Sequence, residues 1–187
     1  VLRTYFRLLF LPLSQNLDHD YPLSRSFFEL KTFFSFLGSS SILAAAVYFF
    51  KKNRFLSFCI FWFFLALSVE LLVPQADVLM EHRLYLSMAA FTLFLTAALT
   101  GLFKNNQKAA VFILVFAAGV FSMLTYQRNF VWKSEFTLWS DAIQKSPKKA
   151  RPYNNRGLAS KKEGSLDAAL ADLMRALELD PAYSDAY

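Results

Sequence analysis

Between residues 33 and 126 the chain carries four apolar stretches, at about 33–50, 55–73, 84–103 and 109–126. Each has roughly the 18–20 residues a helix needs to cross the hydrocarbon layer of a bilayer. From residue 134 onward the pattern turns amphipathic and charged, as in a water-soluble helical array. The chain therefore changes solvent partway along. The expected fold is all-α, with polytopic transmembrane helices followed by an α-solenoid. Residues 1–32 form an outward juxtamembrane segment, 33–126 the four-helix transmembrane domain, and 134–187 the repeat domain.

Composition agrees with a bilayer-embedded chain. Hydrophobic residues make up 56% of the sequence and 22 residues are Phe, too many for an ordinary soluble domain. The mean hydropathy is positive, yet the pI is near 9.5. Residues 127–187 hold ten Lys/Arg against eight Asp/Glu, so there is no basic stripe and nucleic acid is not an expected partner. The single cysteine, Cys59, lies in an apolar stretch and cannot form an intrachain disulfide. The sequence opens on Val1 and stops at Tyr187 just after a repeat begins, which reads as a fragment of a larger protein.

Charge in the short connections sets an orientation. Lys51, Lys52 and Arg54 lie between the first two stretches, and Lys104 and Lys108 between the last two. The connection at 74–83 carries Asp77, Glu81 and a single Arg. By the positive-inside rule the Lys-bearing loops are cytoplasmic. Residues 1–32, the 74–83 loop and the repeat domain then share the opposite, periplasmic or lumenal, side. Glu70 is the one charge within the spans, about a turn before Pro74; it reads as a snorkelling or helix-pairing carboxylate or as a functional acid. In residues 1–11, Arg3 and Arg7 stand one turn apart among bulky apolar groups, which suits an interfacial helix or the end of a span, closed by Pro12. Tyr126, Phe130 and Trp132 follow the last stretch as an aromatic belt.

From Ala150 the segment ARPYNNRGLASKKEGSLDAALADLMRALELDP follows the tetratricopeptide (TPR) template of about 34 residues. Tyr153 takes the large aromatic site of the first helix, and Gly157 and Ala169 the small sites where the two helices touch. Gly164 makes the turn, Leu173 and Ala176 pack the second helix, and Pro181 stops it. Arg156 and Ser160 depart from the usual Leu and Tyr, which weakens the first helix's face. One period earlier Trp139, Ala142 and Pro147 fall on the sites of Leu173, Ala176 and Pro181, and one period later Tyr187 falls on that of Tyr153. The domain thus reads as a half repeat at 134–149, a full repeat at 150–183 and the start of another at 184–187. Repeats bury their core by stacking on neighbours, so the last helix is expected to lack cover.

Two outward segments carry groups capable of chemistry. In NLDHDYPLS, Asp18, His19 and Asp20 offer two carboxylates and an imidazole to a divalent cation. The favoured reading is structural, the same side chains satisfying the loop's own backbone and capping a helix near Ser24. In ADVLMEHRLYL, Arg83 stands at the mouth of the third span beside Glu81 and His82, with Tyr85 following. A guanidinium at headgroup level suits bidentate binding of a phosphate or pyrophosphate, or serves as an interfacial anchor paired with Glu81.

The order of parts resembles the transmembrane-and-TPR family of O-mannosyltransferase-like proteins. Those parts are a juxtamembrane Leu/Arg/Tyr segment, the loop NLDHDYPLS, paired spans, the segment EHRLYL leading into a span, and then repeats. EHRLYL is the most specific of them, although Ser87 stands where the family's segment usually has Pro. The resemblance covers essentially the whole chain. It implies the C-terminal part of a GT-C-type membrane glycosyltransferase that uses a polyprenyl-phosphate-linked sugar. On that reading Arg83, His82, Glu81 and Tyr85 lie near the lipid-phosphate leaving group, and the acidic catalytic base is expected upstream of Val1. The TPRs would recruit acceptor or partner proteins. The competing reading is a noncatalytic, membrane-anchored TPR scaffold.

Overall fold

A computed structural model describes residues 1–21, 24, 26–72 and 79–186. It is helical, with no strand among the described residues. Among the described residues eight α-helices follow in order: α1 Leu2–Phe10, α2 Leu30–Lys52, α3 Arg54–Leu72, α4 Leu84–Leu102, α5 Gln107–Asn129, α6 Glu135–Lys145, α7 Ala150–Lys162 and α8 Leu166–Leu179. The chain forms two compact units, Val1–Leu13 with Pro22–Phe121, and Ser14–Tyr21 with Ser122–Tyr187. Pro22, Leu23, Pro74, Asp77 and Tyr187, singled out in the sequence, lie outside the described residues, as does the side chain of Glu70.

In the first unit, α2, the segment Glu81–Leu102 and α5 are long and apolar enough to cross a membrane. The stretch of α3 described with its side chains, Arg54–Ser68, is apolar but shorter than that length. The helices run past the expected apolar limits because an α-helix need not stop where hydrocarbon does. Thus α2 begins at Leu30 and ends on Lys51 and Lys52, cations that complement the negative C-terminal end of its dipole.

Small residues set how closely these helices approach. Ala46 of α2 and Ser57 of α3 are fully buried, and the Ser57 hydroxyl donates to the Ala46 carbonyl at 2.7 Å. Ser87, also fully buried, donates from α4 to the Phe63 carbonyl of α3 at 3.4 Å. Such hydroxyl–carbonyl contacts join apolar helices that lack a hydrophobic drive toward one another. Cys59, Ile60, Phe63 and Leu67 form a buried stripe along α3. Elsewhere large side chains such as Val47, Phe112, Val115 and Phe116 stand exposed, as lipid-facing helix surfaces do. Helix α1 buries Tyr5, Leu8 and Leu9, stacks Phe6 on Phe63 at 5.2 Å and sets Phe10 edge-on to Phe91 at 4.9 Å. The stretch 1–11 is therefore packed helix along one face, and the Arg7 guanidinium donates to the Leu13 carbonyl at 3.0 Å beyond its end.

In the second unit Ser134 opens α6 with a capping box shared with Thr137, satisfying backbone donors that the first turn leaves orphaned. Helices α7 and α8 form a hairpin that turns at Gly164, whose φ of 81° falls where a side chain would strain the backbone. At Gly157 the two helices nearly touch: a Cβ there would lie 3.1 Å from the Ala169 carbonyl oxygen and 3.1 Å from the Leu173 Cγ. Ala150 and Ala176 centre the core, with Tyr153, Leu173, Leu177 and Tyr183 packed around them. Pro152 sits in the first turn of α7, where its missing N–H costs nothing.

Candidate functional sites

Residues Glu81–Arg83 form a single 3₁₀ turn that runs directly into α4. The turn follows from the sequence: Met80 is extended, and the Arg83 N–H bonds back to the Met80 carbonyl at 3.3 Å. Tyr5 of α1 donates its hydroxyl to the same carbonyl at 3.2 Å, and Leu79 and Leu84 are buried on either side. The turn is thus pinned from both flanks. Its polar side chains are accessible: His82 is exposed, Arg83 and Glu81 are half-buried, and Tyr85 is 83% exposed in the first turn of α4. The four residues occupy five consecutive positions at one helix mouth. Ser87 lies in that first turn too, and its hydroxyl contributes the link to α3.

The segment with Asp18, His19 and Asp20 belongs to the second unit. Asn16 closes a small loop, donating to the Asp18 carbonyl at 3.0 Å and accepting from the Asp18 N–H at 3.3 Å. The Asn16 amide also reaches the Ser146 hydroxyl at 2.8 Å, which in turn accepts from the Asp20 N–H at 3.0 Å. Asp18 itself is only 3% exposed and is spent on cations: Lys149 bonds it directly, and Arg151 lies 3.8 Å away. Lys145 adds a bond to the Gln15 carbonyl at 2.5 Å. His19 is half-buried and Asp20 exposed, so the three residues do not converge. Among the described residues no group of three His, Cys, Asp or Glu side chains is placed to hold a metal ion. The Asp18 carboxylate is the centre of an ion-paired clasp. Sequence reasoning missed Asn16, Ser146, Lys149 and Arg151; the only signal was the basic run after Pro147 facing an acidic loop.

The repeat positions fall on the α6–α8 array. Trp139 lies on α6, Tyr153 and Gly157 on α7, Ala169 and Ala176 on α8, and Pro181 just past its end. Arg156 forms a two-pronged pair with Asp172, at 2.7 Å for both bonds, and lies over Phe136 and Tyr153. The Asp172 hydrogen bond holds the Arg156 guanidinium above its ordinary pKa. An arginine in the usual leucine place thus ties α7 to α8 through charge. A groove of about 570 Å³ lies along α6 and α7, lined by Trp139, Asn155, Leu158 and Lys161, with Lys162 paired to Glu135 at 2.8 Å.

Comparison with known proteins finds likeness to a set of protein O-mannosyl-transferases. It is 25% identical over 174 residues to Protein O-mannosyl-transferase Tmtc3 of Drosophila melanogaster, covering 84% of this chain. It is 24% identical over 168 residues to Protein O-mannosyl-transferase TMTC3 of Homo sapiens and to that of Mus musculus, covering 86% of this chain in each case. The chain spans 18% of the length of each of these relatives. No protein-family model matches, and no solved structure matches. The chain is thus TMTC-like over most of its length, and with its apolar helices it is an integral membrane protein.

Proposed function

We propose that this chain is part of a membrane protein O-glycosyltransferase that uses a polyprenyl-phosphate-linked sugar, with a TPR domain that docks acceptor or partner proteins. The observation that carries the reading is the pinned Glu81–His82–Arg83 turn at the mouth of an apolar helix, in a chain that is TMTC-like over most of its length. Sugar transfer from a lipid phosphate leaves negative charge on the departing phosphate. A guanidinium at headgroup depth stabilises that charge with two parallel hydrogen bonds, and its planar fork suits phosphate geometry better than an ammonium does. His82 adds a donor, and Tyr85, exposed beside it, offers a ring and a hydroxyl to the sugar. The acceptor's base is assigned to residues upstream of Val1.

On this reading the Lys-bearing loops face the cytoplasm, and the turn shares the periplasmic or lumenal side with the repeats. The groove beside Trp139 and Leu158 then supports a docking role. The test is the complete protein with Arg83→Ala and Arg83→Lys. Loss of one charged transition-state contact costs about 10²–10³ in transfer rate. The alanine variant should lose transfer by that factor at unchanged membrane abundance, with the lysine variant in between. Wild-type transfer by Arg83→Ala would overturn the role given to the turn and leave the anchored scaffold as the better account.

A further inference from the structure

The first unit holds a second opening, between α1 and α2. Helices α1 and α2 enclose an open groove of about 370 Å³, lined by Arg3, Phe6, Lys31, Phe34, Gly38 and Ile42. Two cations line it, Arg3 in the first turn of α1 and Lys31 in the first turn of α2. Neither makes an ion pair among the described residues. The acid two residues before Lys31, Glu29, accepts from the Ser24 hydroxyl at 2.7 Å.

The rest of the groove is effectively apolar. Ser35 and Ser39 line it, but their hydroxyls are turned back onto the helix, bonding the Lys31 carbonyl at 2.6 Å and the Ser35 carbonyl at 2.8 Å. Gly38 leaves the floor open, since a Cβ there would meet nothing within 4 Å. From Lys31 to Ile42 the helix rises roughly 16 Å, about half the hydrocarbon thickness. A cationic mouth with an apolar trough one leaflet deep matches a single anionic lipid in charge and length.

We infer that the α1–α2 groove binds one anionic phospholipid, its phosphate held between Arg3 and Lys31 and an acyl chain laid along Phe6, Phe34, Gly38 and Ile42. The occupant is a bilayer phospholipid rather than the sugar donor, because the donor's phosphate is assigned to the Arg83 turn. Native mass spectrometry of the full-length protein, with phosphatidylglycerol or phosphatidylcholine added in detergent, tests this. Wild type should retain one phosphatidylglycerol in preference to phosphatidylcholine. Arg3→Gln with Lys31→Gln should lower that retention about thirtyfold, near what two headgroup-level cations contribute. Gly38→Leu should lower it as much with both cations intact, by filling the trough without a packing clash. Arg83→Ala should leave it unchanged, which separates this site from the transfer reading. Equal retention of the two lipids, or wild-type retention by either groove variant, would overturn the inference. So would displacement of phosphatidylglycerol by a polyprenyl phosphate, which would give the groove to the donor.

Discussion

The two units of this molecule use the same secondary structure and hold it together by opposite means. In the first, helices touch through Ala46, Ser57 and Ser87, and large apolar side chains such as Phe112 and Val115 face outward. In the second, charge and close backbone contact do the joining: Arg156 with Asp172 and Gly157 against Ala169 tie α7 to α8, and Lys149 with Asp18 ties the 14–21 segment to the start of α7. The difference follows from solvent. Where the surroundings are as apolar as leucine, burying leucine gains little, and close packing with a few hydroxyl–carbonyl bonds must hold helices together. Where the surroundings are water, apolar burial drives assembly, and ion pairs fix which residues meet.

That contrast breaks most sharply under a single added charge. Val115→Lys, on the exposed flank of α5, should cost about 3 kcal/mol of insertion free energy, read as lost membrane integration in a glycosylation-reporter assay. Ala168→Lys, also at an exposed position but on α8, should change thermal stability by no more than about 0.5 kcal/mol. Equal effects at the two positions would mean that the two surfaces see the same solvent.

The next effect is steric. Gly157→Leu forces a side chain against the Ala169 carbonyl and should destabilise the second unit by about 2–3 kcal/mol. Gly119→Leu in α5, where a Cβ meets nothing within 4 Å, should be tolerated. Denaturant unfolding followed by helical circular dichroism separates the two outcomes.

Lys149→Ala would leave the Asp18 carboxylate buried with only the longer Arg151 contact. A loss of about 2 kcal/mol is expected, less than for a fully enclosed pair because Lys149 keeps some access to water. Added divalent cation should not restore that stability; rescue by a cation would return the loop to the metal-binding reading. Smallest of all, Ser57→Ala removes one interhelical bond and should cost about 0.6 kcal/mol, measured by unfolding in bicelles.

How much of this was legible in the sequence follows the same division. The helical class and the apolar helices could be read directly, because hydrocarbon permits few backbone solutions for long apolar stretches. Their ends could not: α2 continues through Lys51 and Lys52, and α5 through Arg128, since charged residues can extend a helix past the hydrocarbon. The Glu81–Arg83 turn stood out as a motif, whereas its pinning by Tyr5 comes from a residue 75 positions away. The Asp18 clasp was invisible for the same reason, its partners lying some 130 positions on with no periodicity to link them. Pattern alone reads Arg156 as a loss of apolar packing; only the position of Asp172 across the hairpin reveals what replaces it.

The measurement that bears most directly on the two-solvent account is cysteine accessibility in the full-length protein, in a Cys59→Ser background. Single cysteines at Val115, Glu163 and Asn105 would be exposed to a membrane-impermeant maleimide before and after permeabilisation. The account predicts that the cysteine replacing Glu163 reacts from outside, that replacing Asn105 reacts only after permeabilisation, and that replacing Val115 reacts in neither case. Ready labelling at 115 would contradict the bilayer assignment of α5, and labelling at 105 from outside would invert the orientation on which the proposed function rests.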